Sequence, residues 1–238
     1  ALLVSFLAAF GFANEVFAFL ARPLAAAMGG AEGGRLIYTR LFEAFFVQIK
    51  VAFFTAIFFS FPVFATQIWR FVAPGLYREE KQAFLPFLLA TPPLFLLGAA
   101  MGYFLALPVA IRFLLGFQKE AGGIALEALP AIGDYLGFVM QFIMGFGIAF
   151  LLPVLLMILE RAGIVTREQF RNGRRYAILG AFVIAAVLTP PDVLSQFMLA
   201  IPLILLYEAA LIGMAITGRR RARAAAARNG ATAASAAE

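Results

Sequence analysis

Histidine and cysteine are both absent from this chain, so any chemistry must rest on carboxylates, lysines, arginines and hydroxyls. Without His there is no Ser-His-Asp triad and no imidazole proton shuttle. Without Cys there is no disulfide, no thiolate nucleophile and no Cys-ligated metal. Three acidic features then stand out. Glu79 and Glu80 are adjacent, flanked by Arg78 and Lys81. A carboxylate pair there suits a guanidinium from a partner, because Arg–carboxylate pairing is bidentate and directional. The plainer reading is a solvated pair balanced by its two basic neighbours. Glu208 is the second feature, an acid inside an otherwise uncharged run from Val193 to Gly218. An acid near the centre of a membrane helix costs about 2.5–3.5 kcal/mol on insertion scales. It reads as a protonated acid bonded to a neighbouring helix, as a docking point for another transmembrane helix, or as a proton site. Third, the chain has two aspartates, Asp134 and Asp192. Both fall at ends of apolar runs, whereas an intramembrane aspartyl protease needs two that face each other and share a proton.

The elements that must position these acids are membrane helices. Of 238 residues, 63% are hydrophobic and 13% charged, against about 25% charge in a soluble domain. A hydrocarbon core of about 30 Å needs about 20 apolar residues as a helix. Charge-free runs extend from Val51 to Trp69, Gln82 to Ile111, Tyr135 to Leu159 and Tyr176 to Pro191. Val193 to Gly218 is broken only by Glu208, and the segment from Ala1 to Asn14 reads as the interior of a further helix. The expectation is an all-α polytopic membrane protein with six spans, near 1–20, 45–71, 82–117, 135–160, 176–189 and 194–217. A basic tail, 219–238, follows; its alanines favour a helix and its end reads as disordered.

Six spans place both termini on one side. The loop holding Arg70, Arg78 and Lys81, the loop from Arg161 to Arg175 and the tail together carry 13 of the 19 basic residues. The positive-inside rule makes that side cytoplasmic, and the net charge of +6 reflects this bias and an attraction to anionic lipid. Nucleic acid is not needed to explain these arginines.

Prolines at 62, 86, 92, 93, 108, 153 and 202 lie in or beside the spans and bend them, pointing to a kinked, concave bundle. Gly98 and Gly102 form a GxxxG pair suited to close helix packing. The fifth span is short, roughly 20 Å from Tyr176 to Leu188. It stops at Thr189-Pro190-Pro191-Asp192, since a residue before proline avoids the helical region. Either a tilted neighbour covers the gap or the membrane is thinned there.

Long ordered motifs then resemble one family. Phe61-Pro62, the run Gln67-Ile68-Trp69-Arg70-Phe71-Val72-Ala73-Pro74-Gly75-Leu76-Tyr77, and Glu80 resemble the first cytoplasmic loop of TatC, the large subunit of the twin-arginine protein translocase. Leu188-Thr189-Pro190-Pro191-Asp192-Val193-Leu194-Ser195-Gln196 is similar to that family's external turn between its last two helices. Glu43-Ala44-Phe45-Phe46 and Gly102-Tyr103-Phe104 with Pro108 also fit.

The resemblance implies a six-helix, cup-shaped receptor in the bacterial inner membrane, both termini cytoplasmic, without cofactor, metal or catalytic residue. It implies binding of twin-arginine signal peptides on folded cargo, recruitment of the single-span partners TatA and TatB, self-association in a larger complex, and export driven by the proton-motive force. By position, Glu80 matches the family glutamate that pairs with a signal arginine, beside Glu79, with Phe71 and Pro74 shaping the loop. Glu208, Gln196 and Ser195 fall on the polar surface near the last helices where partners dock. Pro190, Pro191 and Asp192 hold the external turn. Two departures are visible. The family's amino-terminal pattern, His-Leu then Glu-Leu-Arg, does not occur in this sequence, and Leu151 stands where the family often has glutamate. The rival function is a secondary transporter of a small solute. That reading wants repeated halves around a midplane site, and no internal repeat is evident.

Overall fold

The computed structural model describes residues 2–28, 37, 41–72, 78–116, 120–121, 124–125, 130–189 and 193–235. Their side chains are described except at 68, 69, 71, 72, 78–87, 120, 121, 124, 125 and 219–235. The chain is helical almost throughout. Helices α1 (Leu2–Gly11) and α2 (Ala13–Ala27) meet at 76°. Helix α3 (Glu43–Val72) leads into α4 (Arg78–Met101), a π-helical segment (Gly102–Ala106) and α5 (Leu107–Leu115). A hairpin of two-residue strands, β1 (Glu120–Ala121) and β2 (Ile124–Ala125), precedes α6 (Ile132–Ala149) and α7 (Leu152–Arg161). Short α8 (Arg167–Asn172), α9 (Arg174–Leu188) and α10 (Val193–Ser235) complete the fold.

Four stretches of the described residues are long and apolar enough to cross a membrane: Glu43–Gln67, Leu88–Leu115, Ile132–Arg161 and Val193–Gly218. The α1–α2 pair makes a fifth only if its sharp bend is counted as one span. The first span expected at 1–20 is thus two helices. Glycine is a poor helix former, and at Gly11–Phe12 the ladder gives way: Phe12 has φ −108° and ψ 14°. Asn14 just beyond accepts a hydrogen bond from Gln48 Nε2 at 3.0 Å. The fifth expected span is α9, whose 15 residues cover about 22 Å, well under the hydrocarbon thickness. Among the described residues, length and composition give four spans, or five with the bent pair, and do not confirm six. The last span, Val193–Gly218, matches the one expected at 194–217, and its helix runs on to Ser235 through alanines and arginines that favour helix.

Small residues let the spans pack, since apolar side chains gain little by leaving lipid for one another. A Cβ at Gly98 would stand 2.5 Å from the Phe146 carbonyl oxygen and 2.7 Å from Phe150 Cβ. One at Gly102 would stand 2.9 Å from Phe146 Cβ, and one at Gly147 would stand 2.6 Å from the Phe95 ring. The GxxxG pair is thus a groove at the junction of α4 and the π-helical segment for Phe146 and Phe150, with Gly147 accepting Phe95 in return. Phe95, Phe142 and Phe146 are fully buried, and Phe61 stacks on Phe95 at 3.8 Å between ring centres.

The loops before α3 and α6 are fastened together. Ile37 bridges Ala131, and Ile132 N donates to Ile37 O at 3.1 Å. Gly133 N donates to Glu43 Oε1 at 2.8 Å, the same oxygen a Cβ at Gly133 would strike.

Candidate functional site

The first set of candidate residues lies at the end of α3 and the start of α4. Helix α3 ends at Val72, and Phe71 lies in its last turn. Helix α4 starts at Arg78, so Glu79 and Glu80 occupy its first turn, where acidic residues favour a helix start. Pro74 lies outside the described residues, and the side chains of Phe71, Glu79 and Glu80 are also outside them. The structure places the backbone of the acid pair without assigning its contacts.

The second cluster joins α8, α9 and α10. Arg174 Nη2 donates to Glu208 Oε2 at 2.8 Å, tying the start of α9 to the middle of α10. The arginine side chain is 50% exposed and the glutamate 37%. Glu208 is therefore neither deeply buried nor isolated. Tyr207, next to it and buried, donates its hydroxyl to Phe170 O at 2.6 Å and so draws α8 against α10. Helix α8 is closed by a capping box, Thr166 Oγ1 accepting from Gln169 N and Gln169 Oε1 accepting from Thr166 N. The sequence singled out Glu208 and missed Arg174 and Tyr207. The basic loop contained the signal, but nothing local says which of five arginines reaches a residue 34 positions away.

Of the other expected site residues near the last helices, Ser195 is fully buried. Gln196 Nε2 donates to Phe182 O at 3.2 Å, so its amide links α10 to α9. Phe182 and Phe197 meet edge-on at 5.1 Å beside it. Thr189, buried at the end of α9, donates its hydroxyl to Ala185 O at 2.8 Å. Pro190, Pro191 and Asp192 lie outside the described residues. Leu151 is half-buried at the break between α6 and α7, one residue before the helix that carries Pro153.

A third feature was not anticipated. A cavity of about 560 Å³ opens between α2, α3, the α4–π segment and α6. Its walls are Val16, Phe19, Phe54, Phe58, Leu96 and Tyr103 among others, nearly all apolar, with Glu15 at its edge. Among the described residues no group of three or more Asp or Glu is placed to hold a metal.

These features define an all-α, multi-pass membrane protein with an apolar side cavity. The family described as Sec-independent protein translocase protein (TatC) matches residues 1–202. A TatC of Magnetococcus marinus is 45% identical over 227 residues, covering 95% of this chain and 82% of the relative. That of Escherichia coli strain K12 is 38% identical, covering 87% and 78%. A crystal structure of a twin-arginine translocase receptor, TatC, in the detergent DDM superposes with TM-score 0.74 at 38% identity, covering 89% of this chain and 91% of that one. The chain belongs to the TatC family and is a core subunit of the Sec-independent protein translocase.

Proposed function

We propose that this chain is the receptor subunit that binds twin-arginine signal peptides, with Glu80 accepting a signal arginine and Glu79, Phe71 and Pro74 forming the surrounding surface. The observation that carries the reading is the position of the acid pair. It opens α4, the next helix after α3, while Glu208 is already engaged by Arg174 and Glu168 sits between Arg167 and Arg171. A guanidinium arriving from outside meets its most favourable carboxylates at Glu79 and Glu80.

The apolar cavity supports the same reading. A signal peptide follows its basic start with 7–15 apolar residues, about 10–22 Å as a helix. Helix α3 carries both ends of a matching site: from Phe59 in the cavity wall to Phe71 in its last turn is about 18 Å along the helix. In this reading the paired arginines stay at the acid pair and the apolar stretch enters the cavity.

Single-span partners of the TatA and TatB type dock along α9 and α10. The outer face of α9, with Leu179, Val183 and Val187 exposed, has no helix over it among the described residues. The protein resides in the bacterial inner membrane with both termini cytoplasmic, self-associates in the translocase complex, and passes cargo on without reacting with it. The test uses full-length protein in lipid and a signal peptide carrying Arg-Arg or Lys-Lys. Lysine lacks the planar fork, so the Arg-Arg peptide should bind at least about tenfold more tightly; equal binding contradicts the reading.

A further inference from the structure

Helix α2 carries Pro23 in its interior, and proline has no N–H for the carbonyl four residues earlier. That carbonyl belongs to Phe19. It accepts instead the hydroxyl of Tyr103 at 2.6 Å, from a residue 84 positions away. The rings of Phe19 and Tyr103 stack over the same contact, 4.4 Å apart and 17° from parallel. Tyr103 is buried and sits in the π-helical segment, where Leu107 N donates to Gly102 O. The widened register falls just before Pro108, which again has no N–H to give the preceding turn. One proline thus leaves a carbonyl without its helical donor, and a distortion beside another proline presents the hydroxyl that replaces it.

The neighbouring carbonyl makes a contrast. Leu20 O accepts the Tyr135 hydroxyl at 2.9 Å from the first turn of α6. Its helical donor would be Leu24 N, which is present. That N–H also reaches the Tyr135 hydroxyl, so the Tyr135 contact does not stand in for a donor that proline lacks, whereas the Tyr103 contact does.

We propose that Tyr103 and Pro23 are a matched pair that positions α2 as one wall of the apolar cavity. Phe19 and Tyr103 both line that cavity, so the pair shapes its wall. This goes beyond the signal-peptide reading and stands whether or not that reading holds.

The test is a double-variant cycle on the full chain in detergent, read by hydrogen exchange of the α2 amides. Tyr103→Phe should speed exchange in α2 about fivefold, the effect of one lost hydrogen bond. Pro23→Ala returns an N–H to the Phe19 carbonyl, so Tyr103→Phe in that background should have less than half this effect. Tyr135→Phe should act equally in both backgrounds. If Tyr103→Phe alone fails to accumulate, recovery of folded protein in the Pro23→Ala, Tyr103→Phe double variant is the same result. Equal effects of Tyr103→Phe with and without Pro23, or failure of the double variant to recover, overturn the pairing.

Discussion

Arg174 reaches from the first residue of α9 to Glu208 on α10, Nη2 to Oε2 at 2.8 Å, and this contact sets what an acid inside an apolar helix can do. Both groups are partly exposed, so the pair is screened and its own worth is about 0–1 kcal/mol. It does not explain why the acid is there on stability grounds alone. An ion pair at the junction of the two helices offered to a partner makes better sense of the cost. Glu208→Ala should therefore reduce co-purification of a TatA- or TatB-type partner several-fold while leaving signal-peptide crosslinking unchanged. The thermal midpoint should move little. Equal partner capture by both forms would count against a docking role for Glu208.

The glycine groove predicts sharply different costs for one kind of change. At Gly98 an added methyl meets a backbone oxygen, Phe146 O, at 2.5 Å, and backbone cannot rotate aside. Gly98→Ala should cost about 1–3 kcal/mol, seen as a lowered thermal midpoint in detergent. At Gly180, in α9, a Cβ meets nothing within 4 Å, so Gly180→Ala should be neutral or stabilising by up to about 1 kcal/mol. Equal midpoints for the two variants would refute the packing account.

Glu43 fastens the start of α3 to the start of α6 through Gly133 N. Removing the acceptor leaves a partly buried N–H without that bond, so Glu43→Ala should destabilise by about 1–3 kcal/mol. Glu43→Gln keeps an oxygen in reach and should cost less. Thermal unfolding of both variants decides it, and a glutamine variant as weak as the alanine one would show that the bond is not what matters.

Much of the fold was legible because it rests on local composition. Charge-free runs located the long spans, and the Gly98–Gly102 spacing announced the groove that Phe146 fills. Contacts made across the chain were not legible. Nothing near Glu208 names Arg174, and nothing near Phe19 names Tyr103. The bend after Gly11 has one weak local sign, and Ala1–Asn14 otherwise reads as continuous apolar helix. Ser195 and Gln196 are placed by the resemblance on a polar surface near the last helices, and nothing near them says that Ser195 is buried and that Gln196 holds α9. Residue type gave the candidate chemistry, and long-range packing decided which groups are already engaged.

The account turns on Glu80 as the acceptor for a signal arginine. The direct measurement is site-specific crosslinking of a twin-arginine signal peptide to membranes carrying either the parent chain or Glu80→Ala, at matched protein levels. Loss of a charge-assisted, bidentate pair should lower the crosslinked fraction by about tenfold or more at sub-saturating peptide. Undiminished crosslinking to Glu80→Ala would contradict the assignment.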